Sequence, residues 1–429
     1  MNERTLRVGV AGLGTVGAGL LGFLAERPDF APAGGRVVVS GVSARSKSRP
    51  RPVDISSLAW FDDPVALALS PETDVFVELI GGSDGPAKAA VEAALKAGKP
   101  VVTANKALIA EHGAELALLA ESAGVPLLFE AAVMGGTPAV KMLREAMVGD
   151  EVRSVAGILN GTCNYILTEM EAGGRPFAEV LAEAQRLGYA EADPTMDVGG
   201  FDAAHKISIL AALAFGCAPN YAAAEIEGID QVALLDIKLA RDLGYRIKLV
   251  ASADRSPDGV LVRVHPSLAP LAHPLAQAGG ALNALFIEGV RIGRIFILGP
   301  GAGAGPTAAA VAADIADVMT GAVRPVFQAP AGSLKPFVPV DPSKSMTRAY
   351  LRFLVKDEPG VIAAVSETLA EAGVSIESFL QKPVENADGV PIVLTTHAVA
   401  ESVLTAAIER IANLPSVLDR PRLLRIARI

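Results

Sequence analysis

Asp202 and Lys206 form the first pair of residues in this sequence that could carry acid–base chemistry. They lie four residues apart, so on a helix their side chains share one face. The sequence is apolar from Ile207 through Phe215 except for Ser208, so we expect Lys206 to be buried and able to act as a general acid–base. On composition alone, an exposed Asp–Lys pair worth about 0.3 kcal/mol is the favoured interpretation.

Lys106 is the second candidate for proton transfer. It follows a predicted parallel strand that ends at Thr103, at the sheet edge where open α/β folds place their ligands. The five histidines are scattered, and Cys163 and Cys217 belong to no Cys-x-x-Cys motif, which argues against a zinc-dependent site. The proton must therefore come from a lysine, a tyrosine or an acid.

A glycine-rich turn between a strand and a helix predicts a dinucleotide-binding site. Its residues are Gly12, Leu13, Gly14, Thr15, Val16 and Gly17. Glycines let the backbone approach a pyrophosphate, whose charge is stabilised by the free N–H groups of the helix N-terminus. A second such turn, residues 299–305, either approaches the cofactor from the other side or serves only as a domain crossover.

The loop after the second strand bears on the choice of cofactor. NAD-binding proteins usually carry an acid there, but none occurs between Arg36 and Arg51. Arg45 and Lys47 could instead hold the 2′-phosphate of NADP, although a solvated basic loop has the same composition. We expect NADP(H) to be preferred, with NAD(H) possible.

The elements that position these residues follow from the pattern of apolar residues. Through about residue 133, short buried strands alternate with helices, which predicts a doubly wound, Rossmann-like α/β domain. From Val152 longer helices mix with strands, as in an α+β domain. A stretch with Pro and Gly, Gln328 to Asp341, predicts a linker to a small β-α-β-β-α module that begins at Arg348.

Bulk composition excludes several classes of protein. Of the 429 residues, 51% are hydrophobic and 20% are charged, which is typical of globular domains rather than disordered chains. A net charge of −9 gives no basic surface for nucleic acid, and the apolar runs are too short to span a membrane. Two cysteines cannot form a disulfide framework, so a cytoplasmic location is expected.

Several segments, in this order along the chain, closely resemble the signatures of the homoserine dehydrogenase family. They are 78–82, 103–106, 130–138, 157–165, 188–206 and 299–303, within a resemblance that covers about residues 6–330. The resemblance implies reversible NAD(P)H-dependent reduction of L-aspartate 4-semialdehyde to L-homoserine, in threonine, methionine and isoleucine biosynthesis. A homodimer or homotetramer is expected.

The same resemblance assigns roles to residues. Glu191 would hold the substrate ammonium, and Asp202 would lie near the reacting hydroxyl. Lys206 would protonate the alkoxide, and Lys106 would sit where cofactor and substrate meet. The other expected positions are Asp197 and Gly188 for the substrate, and Gly188 and Gly303 for the cofactor.

A monovalent cation, usually sodium, is also implied by the resemblance. Its expected ligands are Glu130, Val133, Gly135 and Thr137, mostly through their backbone carbonyls. Any residue type can supply a backbone carbonyl, so the residue types do not indicate this site. The expectation rests on the family resemblance alone.

The C-terminal module resembles an ACT domain, a ferredoxin-like fold that binds amino acids. The resemblance is carried by Leu351 to Val361, a strand followed by a turn and a helix start, and by Val374 to Glu377. Threonine is the expected effector, acting through a separable regulatory unit. The alternative is a dimerisation module that binds no ligand.

These patterns predict four segments. They are 1–133 for the NADP-binding domain, completed by a return segment at 305–327; 134–304 for the substrate and dimerisation domain; 328–347 for the linker; and 348–429 for the ACT domain.

Other functions stay open. An aspartate-semialdehyde dehydrogenase would form a thioester at Cys163, although a small buried cysteine is the more frequent case. Another amino-acid dehydrogenase of the same architecture, or a nucleotide or amino-acid sensor without turnover, would also fit the domain pattern.

Overall fold

The first domain is a parallel sheet with helices on both faces. The structure, a computed structural model, describes residues 5–31, 35–381 and 389–429. The elements of this domain are β1 (Thr5–Ala11), α1 (Thr15–Glu26), β2 (Arg36–Ser43), β3 (Ala59–Phe61), α2 (Pro64–Leu69), β4 (Val75–Glu78), α3 (Pro86–Lys96), β5 (Val101–Thr103), α4 (Lys106–Ala123) and β6 (Leu127–Leu128). The strand order β3-β2-β1-β4-β5-β6 confirms the predicted doubly wound fold.

The second domain is built on long antiparallel strands. Its elements are β7 (Val152–Ile158), α5 (Gly161–Gly173), α6 (Phe177–Arg186), α7 (Thr195–Val198), α8 (Phe201–Phe215), β8 (Glu225–Ile226), α9 (Leu234–Asp242), β9 (Tyr245–Ser256), β10 (Gly259–Pro270), α10 (Pro274–Gln277), β11 (Leu282–Gly289), β12 (Gly293–Pro300) and α11 (Ala304–Thr320). The predicted α+β class is confirmed, and β9 and β10 pair along their whole lengths as a long hairpin. Helix α11 returns to the first domain and packs on α1 through Ala308, Val311 and Ile315.

The C-terminal module has the ferredoxin-like pattern expected of an ACT domain. Its elements are β13 (Met346–Val355), α12 (Val361–Glu371), β14 (Ile376–Gln381), β15 (Val390–Thr396), β16 (Val399–Ala400), α13 (Glu401–Ala412) and β17 (Arg422–Ile426). Strand β17 pairs antiparallel with β13 and parallel with β10 of the second domain. One continuous sheet, β12-β11-β7-β9-β10-β17-β13-β15-β14, therefore joins the two domains.

The segment that connects the C-terminal module also contacts the second domain. The segment predicted as a linker lies along the second domain, where the Lys335 N–H donates to Gly216 O at 3.1 Å and the Val260 N–H to Val338 O at 2.9 Å. The buried Asp236 carboxylate accepts hydrogen bonds from Tyr350 and Arg352 of the module at 3.0 and 2.6 Å. Pro and Gly mark irregular backbone, and here that backbone is held by hydrogen bonds to the second domain.

Within the described residues, no helix has the length and apolar character that crossing a membrane requires.

Candidate active site

One buried carboxylate joins the two lysines that the sequence singled out. Asp202 Oδ2 accepts a hydrogen bond from Lys206 Nζ at 2.7 Å, and Asp202 Oδ1 lies 2.9 Å from Lys106 Nζ. Lys206 Nζ also donates to the backbone oxygen of Leu159 at 2.8 Å. Lys206 is only 9% exposed, so the interpretation of an exposed surface pair is wrong. Its helix, α8, is buried along nearly its whole length.

The charges in this cluster stabilise one another. Burial acts to raise the pKa of Asp202, but the ammonium groups of Lys206 and Lys106 outweigh it and hold that pKa well below its usual range. The negative charge of Asp202 raises the pKa of Lys106 despite partial burial. Asp202 is therefore ionised and Lys106 is cationic at neutral pH, which places proton donors around one anionic centre.

Asn160 ties a second acid to this cluster. Its Nδ2 donates to Asp197 Oδ1 at 2.7 Å and to Asp202 Oδ2 at 2.9 Å. Its Oδ1 accepts the backbone N–H of Cys163 at 2.8 Å and so caps the N-terminus of α5. Burial and the charge of Asp202 raise the pKa of Asp197. Sequence reasoning missed Asn160; an Asn directly before a helix was the available signal.

Cys163 lies beside the cluster but is poorly suited to act as a nucleophile. It is fully buried, and its Sγ donates to the backbone oxygen of Asp197 at 3.1 Å. Burial, followed by the charges of Asp197 and Asp202, raises the pKa of the thiol well above its usual value. Because the thiolate is the reactive form, this environment disfavours a thioester mechanism.

Glu191 and Gly188 are both exposed to solvent. Gly188 follows α6 in a turn, and Glu191 is exposed three residues later. The Glu191 charge contributes to the raised pKa of Lys106, so the carboxylate is near enough to act on that ammonium. An exposed acid at the mouth of the cluster is suited to bind a cationic group from solvent.

The predicted cofactor turn borders a cleft of about 400 Å³. Gly12 has a φ of 98°, and a Cβ built there would lie 2.2 Å from the backbone oxygen of Leu79. A Cβ on Gly17 would lie 2.0 Å from the oxygen of Gly12, so both positions require glycine. The cleft is lined by Gly12, Leu13 and Gly14 of this turn; Thr15 and Val16 follow as the first residues of α1.

Three arginines line the same cleft, whereas Lys47 does not. They are Arg45, Arg49 and Arg51. Arg51 orders the loop by donating to the backbone oxygens of Arg49 at 2.9 Å and Lys47 at 3.2 Å. The Lys47 ammonium lies 6.0 Å from the centre of the Trp60 ring, outside the lining of the cleft. Sequence reasoning did not single out Arg49 and Arg51, because which side chains of this loop face the cleft depends on how the loop folds.

The second glycine turn packs against the segment expected to bind a cation. Gly303 precedes α11, and the Thr137 hydroxyl donates to the oxygen of Pro300 at 3.3 Å. A Cβ on Gly135 would lie 2.7 Å from the oxygen of Gly301, so the two backbones are in close contact. The turn therefore joins the cofactor domain to residues 130–137.

The donors in this segment restrict how it could hold a cation. The Glu130 carboxylate is buried and accepts three backbone N–H groups, from Ala139 at 2.8 Å, Val140 at 3.1 Å and Lys141 at 2.7 Å. Because those bonds take three of about four acceptor positions of the carboxylate, a sodium ion here would depend mainly on main-chain carbonyls. That fits the chemistry expected for residues 130–137, in which Val133 is also buried.

Comparison with known proteins identifies the family. Models described as homoserine dehydrogenase, its NAD binding domain and the ACT domain match residues 138–316, 12–130 and 349–416. The homoserine dehydrogenase of Pseudomonas aeruginosa is 43% identical over 426 residues, covering 96% of this chain and 97% of its own. The chain belongs to the homoserine dehydrogenase family. It is thus an NAD(P)-dependent oxidoreductase with an ACT domain.

Other members of the homoserine dehydrogenase family match most or all of this chain. The protein of Neisseria gonorrhoeae is 42% identical, with 96% of this chain and 97% of its own covered. The crystal structure of the Thiobacillus denitrificans protein superposes with a TM-score of 0.91 at 39% identity, over 99% of both chains. A hyperthermophilic archaeal homoserine dehydrogenase in complex with NADPH has a TM-score of 0.65 at 27% identity, over 75% of this chain and 99% of its own.

Proposed function

We propose that this chain catalyses the reversible NAD(P)H-dependent reduction of L-aspartate 4-semialdehyde to L-homoserine. The observation that carries the proposal is the carboxylate of Asp202 held between Lys106 and Lys206. Reducing an aldehyde requires a proton for the alkoxide oxygen, and a positioned ammonium is a suitable donor. A bound nicotinamide cofactor would supply the hydride to the aldehyde carbon.

Each residue of the site has a role that follows from its position. Lys206 donates the proton to the alkoxide, and its contact with Asp202 holds the ammonium in place. Lys106, which comes from the cofactor domain, orients the reacting oxygen or shares the proton. Glu191 binds the substrate ammonium at the open side, and Asp197 supports the site through Asn160. In homoserine oxidation the same lysine accepts the proton.

We propose that NADP(H) is preferred over NAD(H). Arg45, Arg49 and Arg51 line the cleft beyond the glycine turn, and guanidinium groups suit a phosphate monoester. Asp62 lines the same cleft, and an acid there could bind a ribose diol, which is why NAD(H) remains a usable cofactor. Gly303 and Lys106 complete the cofactor site from the other side.

Regulation by threonine through the ACT domain is also part of this proposal. The turn at Gly360 opens α12, whose first N–H groups suit a ligand carboxylate. Gly360 has a φ of 90°, so an Asp there would strain the backbone, and Ile362→Asp is a cleaner probe because that side chain is exposed on the first turn of the helix. Added threonine should inhibit the wild-type enzyme and should inhibit I362D less.

Three further features complete the proposal. A sodium ion bound by carbonyls of residues 130–137 would stiffen the junction between the domains. Assembly is as a homodimer or homotetramer. The cytoplasm is the compartment, which suits two buried free thiols.

The test is NADPH oxidation on addition of L-aspartate 4-semialdehyde in phosphate-free buffer. The proposal expects loss of NADPH with formation of homoserine. If the chain instead reduces NADP⁺ with aspartate semialdehyde only when phosphate is added, it is an aspartate-semialdehyde dehydrogenase and the proposal is wrong.

A further inference from the structure

Glu78 is a fully buried carboxylate in the first domain that contacts neither lysine of the site. It ends β4, the strand next to β1 in the sheet. Its Oε1 accepts the backbone N–H groups of Ile80 at 2.7 Å and Gly81 at 3.0 Å. Ile80 lines the cofactor cleft. One oxygen of Glu78 therefore fixes the backbone of a cleft-lining loop.

The other oxygen of Glu78 reaches the next strand. Oε2 accepts the hydroxyl proton of Thr103 at 2.5 Å, and the same hydroxyl oxygen accepts the backbone N–H of Asn105 at 2.9 Å. Because the hydroxyl has one proton, its donation to Glu78 leaves its oxygen free to accept from Asn105. The Asn105 N–H can only donate, so the Thr103 oxygen accepts from it and directs its own single proton to Glu78.

Asn105 extends this chain of hydrogen bonds to the helix that carries Lys106. Its Oδ1 accepts the N–H of Leu108 at 3.1 Å and caps α4. Its Nδ2 donates to Gly82 O at 2.7 Å, which returns to the loop held by Glu78. The side chain of Lys106 is itself 42% exposed, and its ion pair is with Asp202 of the other domain. The position of the Lys106 ammonium therefore depends on where α4, which begins at Lys106, is held.

We propose that Glu78 is a positioning residue that acts through Thr103 and Asn105 to place the Lys106 ammonium at the reacting oxygen. The same carboxylate holds the loop of the cofactor cleft, so the cleft and the lysine share one rigid support. The inference rests on the proposed function, since it concerns the geometry of that reaction. Misplacing a reacting group by about 1 Å can slow catalysis by about a hundredfold.

Thr103→Val tests the link because it keeps the shape of the side chain and removes the hydroxyl. We expect kcat to fall by about tenfold or more while the KM for aspartate semialdehyde and the NADPH dissociation constant change little. The deuterium isotope effect on kcat, measured with NADPH labelled at the transferred position, should rise. Thr103→Ser restores the hydroxyl and should recover most of kcat.

A matched control separates positioning from loss of a buried hydroxyl. Thr73 is buried in the same domain, and its hydroxyl lies 3.3 Å from that of Ser40, away from Lys106. Thr73→Val should leave kcat and the isotope effect unchanged. Should T103V fail to fold, Glu78→Gln offers the same test, since its amide N–H would reverse the hydrogen bond to Thr103.

The outcomes distinguish this inference from the proposed function. Wild-type kcat and isotope effect in a folded T103V or E78Q would overturn the positioning role while leaving the function intact. Equal losses in T103V, T103S and T73V would also overturn it, because they would reflect stability alone. A wild-type protein without turnover would overturn both.

Discussion

The ammonium of Lys106 lies 2.9 Å from the carboxylate of Asp202, although the two residues belong to different domains. Lys106 begins a helix of the cofactor domain, and Asp202 lies in the first turn of the helix that carries Lys206. The contact therefore crosses the junction where a cofactor held by one domain would meet a substrate held by the other. The same contact would bring the hydride donor of a bound cofactor close to the proposed proton donor.

Lys206→Ala should lower kcat by about a hundredfold or more, as removal of a general acid typically does. NADPH binding should be nearly unchanged, because the cofactor turn lies in the other domain. Steady-state kinetics with aspartate semialdehyde and fluorescence titration with NADPH measure the two effects. Lys238→Ala removes an exposed lysine of α9 and serves as the control. Near-wild-type turnover of K206A would refute the proton-donor role.

Arg45→Asp should raise the KM for NADPH much more than the KM for NADH. Arg45 lines the cleft, so an acid there would repel the 2′-phosphate that only NADPH carries. Lys47→Asp makes the same charge change two residues away, outside the cleft lining, and should have the smaller effect. Equal increases for both cofactors in R45D would contradict the phosphate-binding role.

Arg352→Ala should destabilise the protein by about 3–5 kcal/mol, because it leaves the buried carboxylate of Asp236 with one partner fewer. Arg410→Ala, which removes an exposed ion pair with Glu371, should cost about 1 kcal/mol or less. Denaturant unfolding measures both. Similar small losses would show that the ACT domain is only loosely joined to the second domain.

Truncation after Asp341 should consequently be more disruptive than a linker would suggest. It removes β17 from the edge of β10 and removes Glu401, which lies 2.8 Å from the buried guanidinium of Arg263. We expect a lower melting temperature and a loss of activity that follows unfolding. A truncated protein as stable and active as the full chain would contradict this account of the interface.

Because of the buried Lys248, the free energy of unfolding should depend on pH in the alkaline range. Burial lowers its pKa from 10.5 to about 8, while Nζ donates to Asn164 Oδ1 and Ala278 O, each at 2.7 Å. Between those values the unfolded chain binds more protons, so stability rises with pH across that window by about 3 kcal/mol. Urea unfolding of wild type and Lys248→Met from pH 7 to 10.5 tests this. A slope that persists unchanged in K248M would contradict it.

Local pattern in the sequence predicted the first domain well. The alternation of buried strands and helices, and a glycine turn at residue 12, depend on neighbours in the chain. Short elements such as β3 were missed because three residues carry too little periodicity. Strand β17 was missed because Arg422–Ile426 has only five residues and gains its stability from β10 and β13, which are distant in sequence.

The site itself was predicted only where residue type reveals function. Lys206 and Asp202 share one helix, so their pairing could be anticipated, whereas the contact of Lys106 with Asp202 spans two domains. Asn160 and Glu78 work through hydrogen bonds to residues 25 to 42 positions away, which spacing does not encode. The placement of Lys47 over Trp60 likewise depends on how a loop folds.

Every role proposed for these residues depends on the reduction of L-aspartate 4-semialdehyde to L-homoserine by this chain. The most direct measurement follows NADPH oxidation and homoserine formation together after adding the semialdehyde in phosphate-free buffer, with wild-type and K206A protein side by side. We expect one homoserine formed for each NADPH consumed by the wild type, and strongly reduced rates of both in K206A. Wild-type protein that binds NADPH but forms no homoserine would contradict it.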